Sequence, residues 1–443
     1  MKTILFLLAC TAAATQVVFA SQKKPSQELK NGILLYDLKQ YAKALPLFKA
    51  AAKAGDSEAI RRIGVMYASG LGGLPKDDKL ALANYRKAAA AGNPRGVRDV
   101  AIAYFYGRGV PKDEKQAVAL YRKGADLNDS GSMASLAWLY EYGRGGLPKD
   151  TKKGFAFYQK AADLGDILAI NALASILYYG QEGVPKDQKR AVALFQKASD
   201  MGDPKATQAL AWAYQNGAGG LAKDLAKGEA LYERAANAGD REAMNSVGRL
   251  YQRGTGVPKN YVIAYRWYSK AAAKGLPVAF TNMGYMIENG MGVPRADEAA
   301  AAALYRRSAM LGDGYGMANL GYMYARGRGG LPRDDRQAVE WYTKSAAKGN
   351  PLGMNNLGAR YQHGTGGLKK DEQKALELYL KAAKLGNELA MANLGYLFAT
   401  GKAGLPTDTA KAIQWYEKAE KAGSTKAKAA LENLRAGRPV GKQ

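Results

Sequence analysis

The sequence predicts an all-α solenoid of about ten two-helix repeats, and three observations support this prediction. A motif of 36 or 37 residues recurs from residue 56 onward. Asp, Asn, Gly and Pro recur at matching places in the copies, where helices usually begin and end. Apolar side chains within each copy are three or four residues apart, the spacing of one helix face. Stacked copies bury an apolar face that a single copy leaves exposed.

The copies align on an Asp or Asn, which we call repeat position 1. The ten copies begin at Asp56, Asn93, Asp129, Asp166, Asp203, Asp240, Leu276, Asp313, Asn350 and Asn387. The shared motif is Asp-x-x-Ala-x-x-x-Leu-Gly-x-x-Tyr-x-x-Gly-x-Gly-Gly-Leu-Pro-Lys-Asp, followed by x-x-x-Ala-x-x-x-Tyr-x-Lys-Ala-Ala-x-x-Gly. The repeats are therefore predicted to span residues 56–423.

The first helix of each repeat, helix A, is predicted to begin at position 1. An Asp or Asn side chain there accepts hydrogen bonds from backbone N–H groups of the first turn. Pro94, Pro204 and Pro351 follow position 1 directly, and proline is tolerated at the first helical position. A glycine such as Gly70 or Gly327 is predicted to end helix A in the left-handed conformation.

The second helix, helix B, follows a glycine-rich loop that ends in Pro-Lys-Asp. Asp77, Asp113 and Asp150 are its predicted caps, and a glycine such as Gly92 is predicted to follow its last turn. The pattern is broken in four places, where we expect lower local stability. These are Leu276 at the cap, Ala222 and Lys369 at the loop proline, and Asn128 at the closing glycine.

Positions 4, 8 and 12 of helix A are predicted to form the core, since they follow one helix face. Leu320 and Tyr324 are one such pair, one turn apart. Gly or Ala recurs beside them at position 9, as in Gly321, Gly64 and Ala101. With almost no side chain at this position, helices A and B are expected to approach closely.

The N-terminus is predicted to carry an export signal over residues 1–20. Lys2 provides the positive start, an apolar run follows, and Val18-Phe19-Ala20 offers small residues for cleavage. Cys10 also permits interpretation as a lipoprotein processing site, but the apolar run before it is short, so we favour the simple signal. No later apolar stretch approaches the length of a membrane span, so none is expected after cleavage.

The remaining ends of the chain are predicted to close the solenoid. Residues 21–55 are interpreted as an N-terminal cap with a degenerate helix pair, and residues 424–443 as a closing helix and a basic tail. The formal net charge is +26, or +25 without Lys2. In an exported chain this charge favours acidic envelope or secreted partners and argues against nucleic acid.

Catalytic and metal-binding patterns are absent from the sequence. Cys10 is the only cysteine and His363 the only histidine, which excludes disulfides, thiolate or histidine metal sites and Ser-His-Asp triads. The Gly-x-Gly loops lack the Gly-Lys-Ser/Thr ending of a phosphate-binding loop. We therefore predict a protein that is not an enzyme and needs neither cofactor nor metal.

Three segments resemble a known family. Leu-Gly-x-x-Tyr-x-x-Gly-x-Gly, Pro-Lys-Asp and Tyr-x-Lys-Ala-Ala-x-x-Gly are similar to the Sel1-like repeat (SLR) family of tetratricopeptide-related αα-repeats, over residues 56–423. The resemblance implies a right-handed superhelix with helix A along a concave groove, and an adaptor role in assembling complexes. Exported bacterial members are often tied to envelope signalling, exopolysaccharide assembly, peptidoglycan enzymes or host interaction.

Candidate binding residues lie on positions 3, 7, 10 and 14 of helix A, which share one stripe that the resemblance places in the groove. Position 10 carries aromatic side chains and one arginine, position 7 carries four consecutive asparagines, and position 14 carries polar and aromatic side chains. The predicted binding residues are Trp138, Trp212, Tyr285, Tyr322, Tyr396, Arg249, Asn282, Asn319, Asn356, Asn393 and Arg326.

Two interpretations of this stripe remain open. As a binding site, it suits an extended peptide, whose backbone an Asn can bond, or a glycan stacked on aromatic rings. As a structural ladder, the same side chains bridge neighbouring repeats. The asparagines favour the structural interpretation, whereas Trp138, Trp212 and Tyr322 favour the functional one.

Three functions follow in order of preference. The first is a periplasmic or secreted scaffold or regulator for protein–protein interaction in the cell envelope. The second is a binder of peptidoglycan or acidic exopolysaccharide, and the third is a cell-wall or β-lactam hydrolase.

A basic column also runs along helix B: Lys87, Lys123, Lys160, Lys197, Arg234, Lys270, Arg307, Lys344, Lys381 and Lys418. An anionic-polymer track is one interpretation. We favour a structural one, because cations stabilise the last turns of a helix.

Overall fold

The computed structural model describes residues 25–440, so the predicted signal and Cys10 lie outside the described residues. The described chain forms 23 helices, α1–α23. It contains no β-strand, only an isolated bridge between Gln181 and Val184. The predicted all-α class of paired helices is confirmed. The chain divides into two compact bodies, Met1–Met201 and Gly202–Gln443.

Helices A and B alternate along the chain. The A helices are α1 Gln27–Asp37, α3 Ser57–Ser69, α5 Pro94–Tyr106, α7 Ser130–Tyr142, α9 Ile167–Tyr179, α11 Pro204–Asn216, α13 Arg241–Arg253, α15 Pro277–Glu288, α17 Gly314–Arg326, α19 Pro351–His363 and α21 Glu388–Thr400. The B helices are α2 Tyr41–Lys53, α4 Asp78–Ala90, α6 Glu114–Asp126, α8 Thr151–Asp163, α10 Gln188–Asp200, α12 Leu225–Asn237, α14 Tyr261–Ala273, α16 Glu298–Met310, α18 Asp335–Ala347, α20 Glu372–Lys384 and α22 Thr409–Lys421. Helix α23, Thr425–Arg435, follows α22 and is the last helix of the described residues.

The predicted helix caps are confirmed. The Asp56 carboxylate accepts from the Ala59 N–H, and the Asp77 carboxylate accepts from two backbone N–H groups of α4. Leu276 provides no side-chain cap, as its departure from the motif predicts. Asn128 takes the place of the closing glycine with φ of 59°, a conformation that asparagine tolerates better than most residues.

The predicted close approach of helices A and B is also confirmed. A Cβ added at Gly321 would lie 2.8 Å from the Tyr342 ring and 3.2 Å from the Ala338 carbonyl oxygen. Because the ring of helix B already fills this space, the position excludes larger side chains. The same glycine–tyrosine contact recurs at Gly64 and Tyr85, Gly248 and Tyr268, Gly284 and Tyr305, Gly358 and Tyr379, and Gly395 and Tyr416.

The buried face of helix A differs from the prediction at position 12. Leu320 at position 8 is fully buried, but Tyr324 at position 12 is only half-buried. Met323 at position 11 is fully buried instead. The reason is that the long tyrosine side chain reaches the polar margin of the core, where its hydroxyl accepts from Arg306 at 3.5 Å. The core of helix A is therefore centred on positions 4, 8 and 11.

Candidate functional site

An aromatic cluster lies on the A helices of the first body, where α5 meets α7. Phe105 and Tyr106 end α5, and their ring centroids are 5.0 Å apart. Trp138 of α7 lies 6.0 Å from Phe105 and 5.3 Å from Tyr142, the last residue of α7. Tilted and edge-to-face contacts of this kind are favoured between aromatic rings. Two consecutive repeats thus build one continuous aromatic surface.

Most of this surface is open to solvent. Trp138 is 37% exposed, Tyr142 58% and Tyr106 61%, whereas Phe105 is buried beneath them. A shallow cavity of about 280 Å³ lies between the rings, with Ser135 and Tyr121 in its lining. Burial raises the pKa of Tyr121 to about 12, so its hydroxyl stays protonated at neutral pH. The cavity therefore combines aromatic walls with hydroxyl groups.

A cation covers the same rings. Gly143 has φ of 63° and ends α7, and the chain reverses so that Arg144 follows directly over the helix. The Arg144 guanidinium lies 5.6 Å from the Trp138 centroid and 5.5 Å from that of Phe105, within cation–π range. Arg144 also pairs with Glu114. The surface is therefore positively charged at one side of the cavity.

The cations around the cavity lower the pKa of Glu114. Lys112 contacts its carboxylate at 2.8 Å, and Arg144 donates to the same oxygen. The hydrogen bond from Lys112, followed by that from Arg144, lowers the pKa of Glu114 to about 2. One carboxylate thus faces two cations at this site and remains ionised at neutral pH.

The second body repeats the aromatic–cation arrangement at Tyr322, which is 39% exposed. Arg326 and Arg328 lie 5.8 and 6.0 Å from its ring centroid. Arg328 is held by Glu288 at 3.0 Å and by Glu298 at 2.7 Å. The cation that follows the helix A glycine is therefore fixed over the position 10 ring in both bodies.

Tyr396 differs from the prediction of an exposed stripe. Only 9% of it is exposed, and it belongs to the same core cluster as Leu431 of the closing helix. Lys402 covers its ring at 4.9 Å from the centroid and donates to its hydroxyl at 3.0 Å. These contacts remove the ring from solvent, so Tyr396 contributes to packing at the end of the array.

The other predicted residues of positions 10 and 14 lie on the surface of the second body. Trp212 is 44% exposed and Tyr285 is 45% exposed. Arg249 and Arg326 are also exposed. The structure thus leaves most of position 10 accessible to a partner.

The asparagine column joins neighbouring repeats. The Asn282 amide donates to Asn245 at 2.8 Å, and the Asn393 amide donates to Asn355 at 2.9 Å. Asn355 in turn donates to Asn356 at 3.1 Å. Each inter-repeat bond connects position 6 of one repeat with position 7 of the next. Asn319 is half-buried at the same position. The contacts favour the structural interpretation of this column.

The same register forms an ion network in the first body. Arg61 at position 6 donates to Asp99 at position 7 of the next repeat, at 3.0 Å, and to Glu58 at 2.8 Å. Burial raises the pKa of Asp99. Burial also acts to raise the pKa of Glu58, but hydrogen bonds and charge from Arg61, with further hydrogen bonds from Arg62 and Asn93, outweigh it and bring that pKa to about 2. The network is a structural joint between α3 and α5.

Sequence reasoning missed the cations at position 16, although a signal for them exists. A basic residue directly after the helix A glycine occurs in the repeats that carry Trp138, Tyr322 and Tyr396 at position 10. The three pairs are Trp138 with Arg144, Tyr322 with Arg328, and Tyr396 with Lys402. The signal is partial, because Trp212 and Tyr285 are followed at position 16 by Ala218 and Met291.

The basic column of helix B also has local partners. Lys270 lies 4.1 Å from the Trp267 centroid, and Lys344 lies 4.4 Å from that of Trp341. Each lysine thus lies over a ring one turn earlier in its own helix, which supports the structural interpretation.

Within residues 25–440, no group of three or more His, Cys, Asp or Glu side chains is arranged to hold a metal ion. No helix in that range has the length and apolar character needed to cross a membrane.

Comparison with known protein families identifies the Sel1 repeat in this chain. The model of the Sel1 repeat matches eleven segments: 29–56, 57–93, 95–129, 130–166, 167–203, 204–240, 241–276, 278–313, 314–350, 351–387 and 389–424. The first of these is the helix pair that the sequence predicted as degenerate, and it brings the number of repeats to eleven. No curated protein matches the chain.

The solved structures that are similar to this chain include the following two. One is a protective antigen present in uropathogenic Escherichia coli strains, which displays an SLR fold. It is 28% identical to this chain with a TM-score of 0.57, and the match covers 92% of this chain and 90% of the antigen. The other is a Sel1 repeat protein from Oxalobacter formigenes, which is 32% identical with a TM-score of 0.48 and covers 58% of this chain and 99% of that chain.

Proposed function

The chain belongs to the Sel1 repeat family, whose members are protein–protein interaction scaffolds, and from this premise we propose that it is a non-catalytic scaffold of the bacterial cell envelope. The observation that carries the proposal is the exposed aromatic cluster of α5 and α7 with Arg144 above it. Exposed aromatic and arginine side chains in one patch are typical of interaction hot spots. The export signal predicted in residues 1–20 supports the location.

The chemistry of the cluster favours an acidic, extended peptide segment as its ligand. A cavity of about 280 Å³ accommodates one bulky apolar side chain between Phe105 and Trp138. Arg108 is exposed and lies 5.0 Å from the Tyr106 centroid, at the margin of the same surface. A carboxylate of the partner can pair with it while the apolar side chain enters the cavity.

Removing the exposed rings should strongly weaken binding of the partner. We expect Trp138→Ala with Tyr142→Ala to weaken binding by about 30-fold or more, because a buried aromatic hot spot contributes about 2 kcal/mol or more. In-cell crosslinking followed by mass spectrometry identifies the partner, and titration of the purified pair measures the affinity.

Leu80→Ala is the matched control, since Leu80 is 42% exposed on α4, a B helix of the same body. It should retain the partner. Equal capture by wild type and the aromatic double variant would contradict the proposed site. A wild type that captures no envelope protein would contradict the scaffold function.

The second candidate function is binding of peptidoglycan or an acidic exopolysaccharide. It is favoured by the exposed rings at position 10, which offer stacking faces in both bodies: Trp138, Trp212, Tyr285 and Tyr322. Stacking on such rings is a common mode of glycan recognition. Sedimentation with isolated sacculi at low and high salt tests it, and an unchanged soluble fraction in both conditions rules it out.

Export is tested by the N-terminus of the purified protein. Cleavage after Ala20 gives a chain that begins at Ser21, and the protein should be released with the periplasmic fraction. A lipid-modified N-terminus at Cys10 would replace this proposal with a membrane anchor. Turnover of cell-wall or β-lactam substrates by the purified chain would support the third candidate, a hydrolase.

A further inference from the structure

The turns that lead from helix B to the next helix A form a row in the second body. A Cβ added at Gly239 would lie 3.3 Å from the Lys274 ammonium group, and Arg241 donates to the Lys274 carbonyl oxygen at 3.4 Å. Further along, a Cβ added at Gly314 would lie 2.8 Å from the Asn350 Cβ. Consecutive turns therefore lie side by side. We call residues 270–278, 307–315, 344–352, 381–389 and 418–426 the turn edge.

Large apolar side chains protrude from the turn edge. Met310 is 77% exposed, Leu311 50% and Tyr315 47%, and two repeats later Leu385 is 56% exposed and Leu389 36%. Met310 ends its helix B, Leu311 and Leu385 directly follow the last residue of theirs, and Tyr315 and Leu389 lie in the first turn of the next helix A. Their exposure costs solvation free energy in water, which a partner with an apolar interior would recover.

The same row is basic. Its cations are Lys270, Lys274, Arg307, Lys344, Lys348, Lys381, Lys384, Lys418, Lys421 and Lys426, against the carboxylates Asp313, Glu388 and Glu420. Four of these cations, Lys270, Arg307, Lys344 and Lys418, lie over aromatic rings. The attraction we infer therefore rests on the other six: Lys274, Lys348, Lys381, Lys384, Lys421 and Lys426. Asp313 is already occupied, because its carboxylate accepts from Thr281 and from the Gly316 N–H. The turn edge therefore presents apolar side chains within a field of positive charge.

This combination differs from the equivalent turns of the first body. There, Leu127, Leu164 and Leu168 are 42%, 53% and 76% exposed. Aspartates accompany them in the same turns, at Asp126, Asp129, Asp163 and Asp166, with only Lys123 and Lys160 as cations over residues 123–131 and 160–168. Apolar exposure is thus common to both bodies, but these two apolar turns of the first body carry four carboxylates against two cations, whereas the turn edge carries ten cations against three carboxylates.

We propose that the turn edge docks on an anionic lipid surface, with Met310, Leu311 and Leu385 inserted at the headgroup level and the lysines beside anionic headgroups. Lysine stems extend along apolar surface while their ammonium groups reach polar groups, which suits this interface. Apolar insertion and electrostatic attraction together determine the strength of interfacial binding. An acidic polymer in water satisfies only the charges and leaves Met310 exposed.

Vesicle flotation with the purified full chain tests the proposal. We expect wild type to float with vesicles of phosphatidylethanolamine and phosphatidylglycerol, and to stay at the bottom with phosphatidylcholine alone. The triple variant Met310→Ser, Leu311→Ser, Leu385→Ser should lower the bound fraction about tenfold or more through lost apolar burial. Lys348→Glu with Lys384→Glu should also lower it, and added salt should weaken wild-type binding.

The matched control is Leu127→Ser, Leu164→Ser, Leu168→Ser, which changes equivalent exposed side chains of the first body and should float like wild type. Circular dichroism checks that each variant keeps its helix content. Absence of wild-type flotation overturns the proposal, as does unchanged flotation of the Met310, Leu311, Leu385 variant. If soluble polyglutamate competes binding away equally in wild type and in the Met310, Leu311, Leu385 variant, the turn edge binds an acidic polymer. That outcome also overturns lipid insertion.

Discussion

Replacing Tyr379 by alanine is expected to lower the free energy of unfolding of the C-terminal repeats by about 3–5 kcal/mol, the range for removing a large buried aromatic side chain. Tyr379 is only 1% exposed. Its ring fills the space over Gly358, where an added Cβ would lie 2.8 Å away. Its hydroxyl donates to Gln362 at 2.8 Å. Alanine leaves a cavity between α19 and α20. It also leaves the amide oxygen of Gln362 without the donor that Tyr379 provides.

Amide hydrogen exchange followed by mass spectrometry is the suitable measurement, because repeat arrays unfold locally and each repeat contacts chiefly its neighbours. Protection should fall in α19–α21 and stay unchanged in the first body. Tyr379→Phe retains the ring and should cost about 1 kcal/mol through the lost hydrogen bond. Wild-type protection of α19 and α20 in the alanine variant would contradict the proposed packing role.

Replacing Arg61 by methionine is expected to destabilise the joint between α3 and α5 by about 3 kcal/mol, because it leaves the Asp99 carboxylate without its ion-pair partner and removes one of the two arginines that pair with Glu58. Arg61 is 9% exposed and pairs with Asp99 at 3.0 Å and with Glu58 at 2.8 Å. Methionine is similar in length and apolar, so the loss reports the charge rather than the packing. Protection of α3 and α5 against amide exchange at neutral pH measures it.

The control for Arg61 is Arg435→Met, which breaks the exposed pair with Glu417, also 2.8 Å long. Exposed pairs contribute about 0–1 kcal/mol, so this change should be nearly silent. A double variant Arg61→Met with Asp99→Asn should recover stability, since it no longer buries an unpaired charge. Equal effects of the two arginine variants would show that burial does not strengthen the Arg61 network.

The Arg61 network also predicts a pH dependence. The pKa of Glu58 is lowered from 4.5 to about 2 in the folded chain. Its ionised form therefore stabilises the fold above about pH 4.5, and this contribution is lost as pH falls towards 2. Burial raises the pKa of Asp99, which has the opposite sign. In the Arg61→Met variant the loss of stability between pH 4.5 and 2 should be smaller than in wild type.

Local patterns determined much of this protein. The repeat length, the caps such as Asp56 and Asp77, and the glycine ends of helix A such as Gly327 all followed from the sequence. The reason is that a cap or a left-handed glycine depends on backbone groups within a few residues. The glycine–tyrosine contact was also predictable, because both of its residues recur at fixed positions in every such repeat.

Identity and spacing alone did not determine which side chains of the stripe are accessible. Trp138 and Tyr396 occupy the same repeat position, yet 37% of Trp138 is exposed and only 9% of Tyr396. Both rings lie under a cation, so the difference comes from the partners of Tyr396 in its core cluster, among them Leu431 of α23. These partners are set by the packing of neighbouring segments and not by the helix that carries the ring.

The sequence by itself determined the all-α fold, the family and the helix boundaries, because each depends on interactions within one repeat. Only the tertiary structure decided that Asn282 and Asn393 join neighbouring repeats, that Arg144 covers Trp138, and that Met310 and Leu385 protrude from a basic edge. Each of these depends on how one repeat is placed against the next, and that placement is settled by packing and electrostatics between segments distant in the chain.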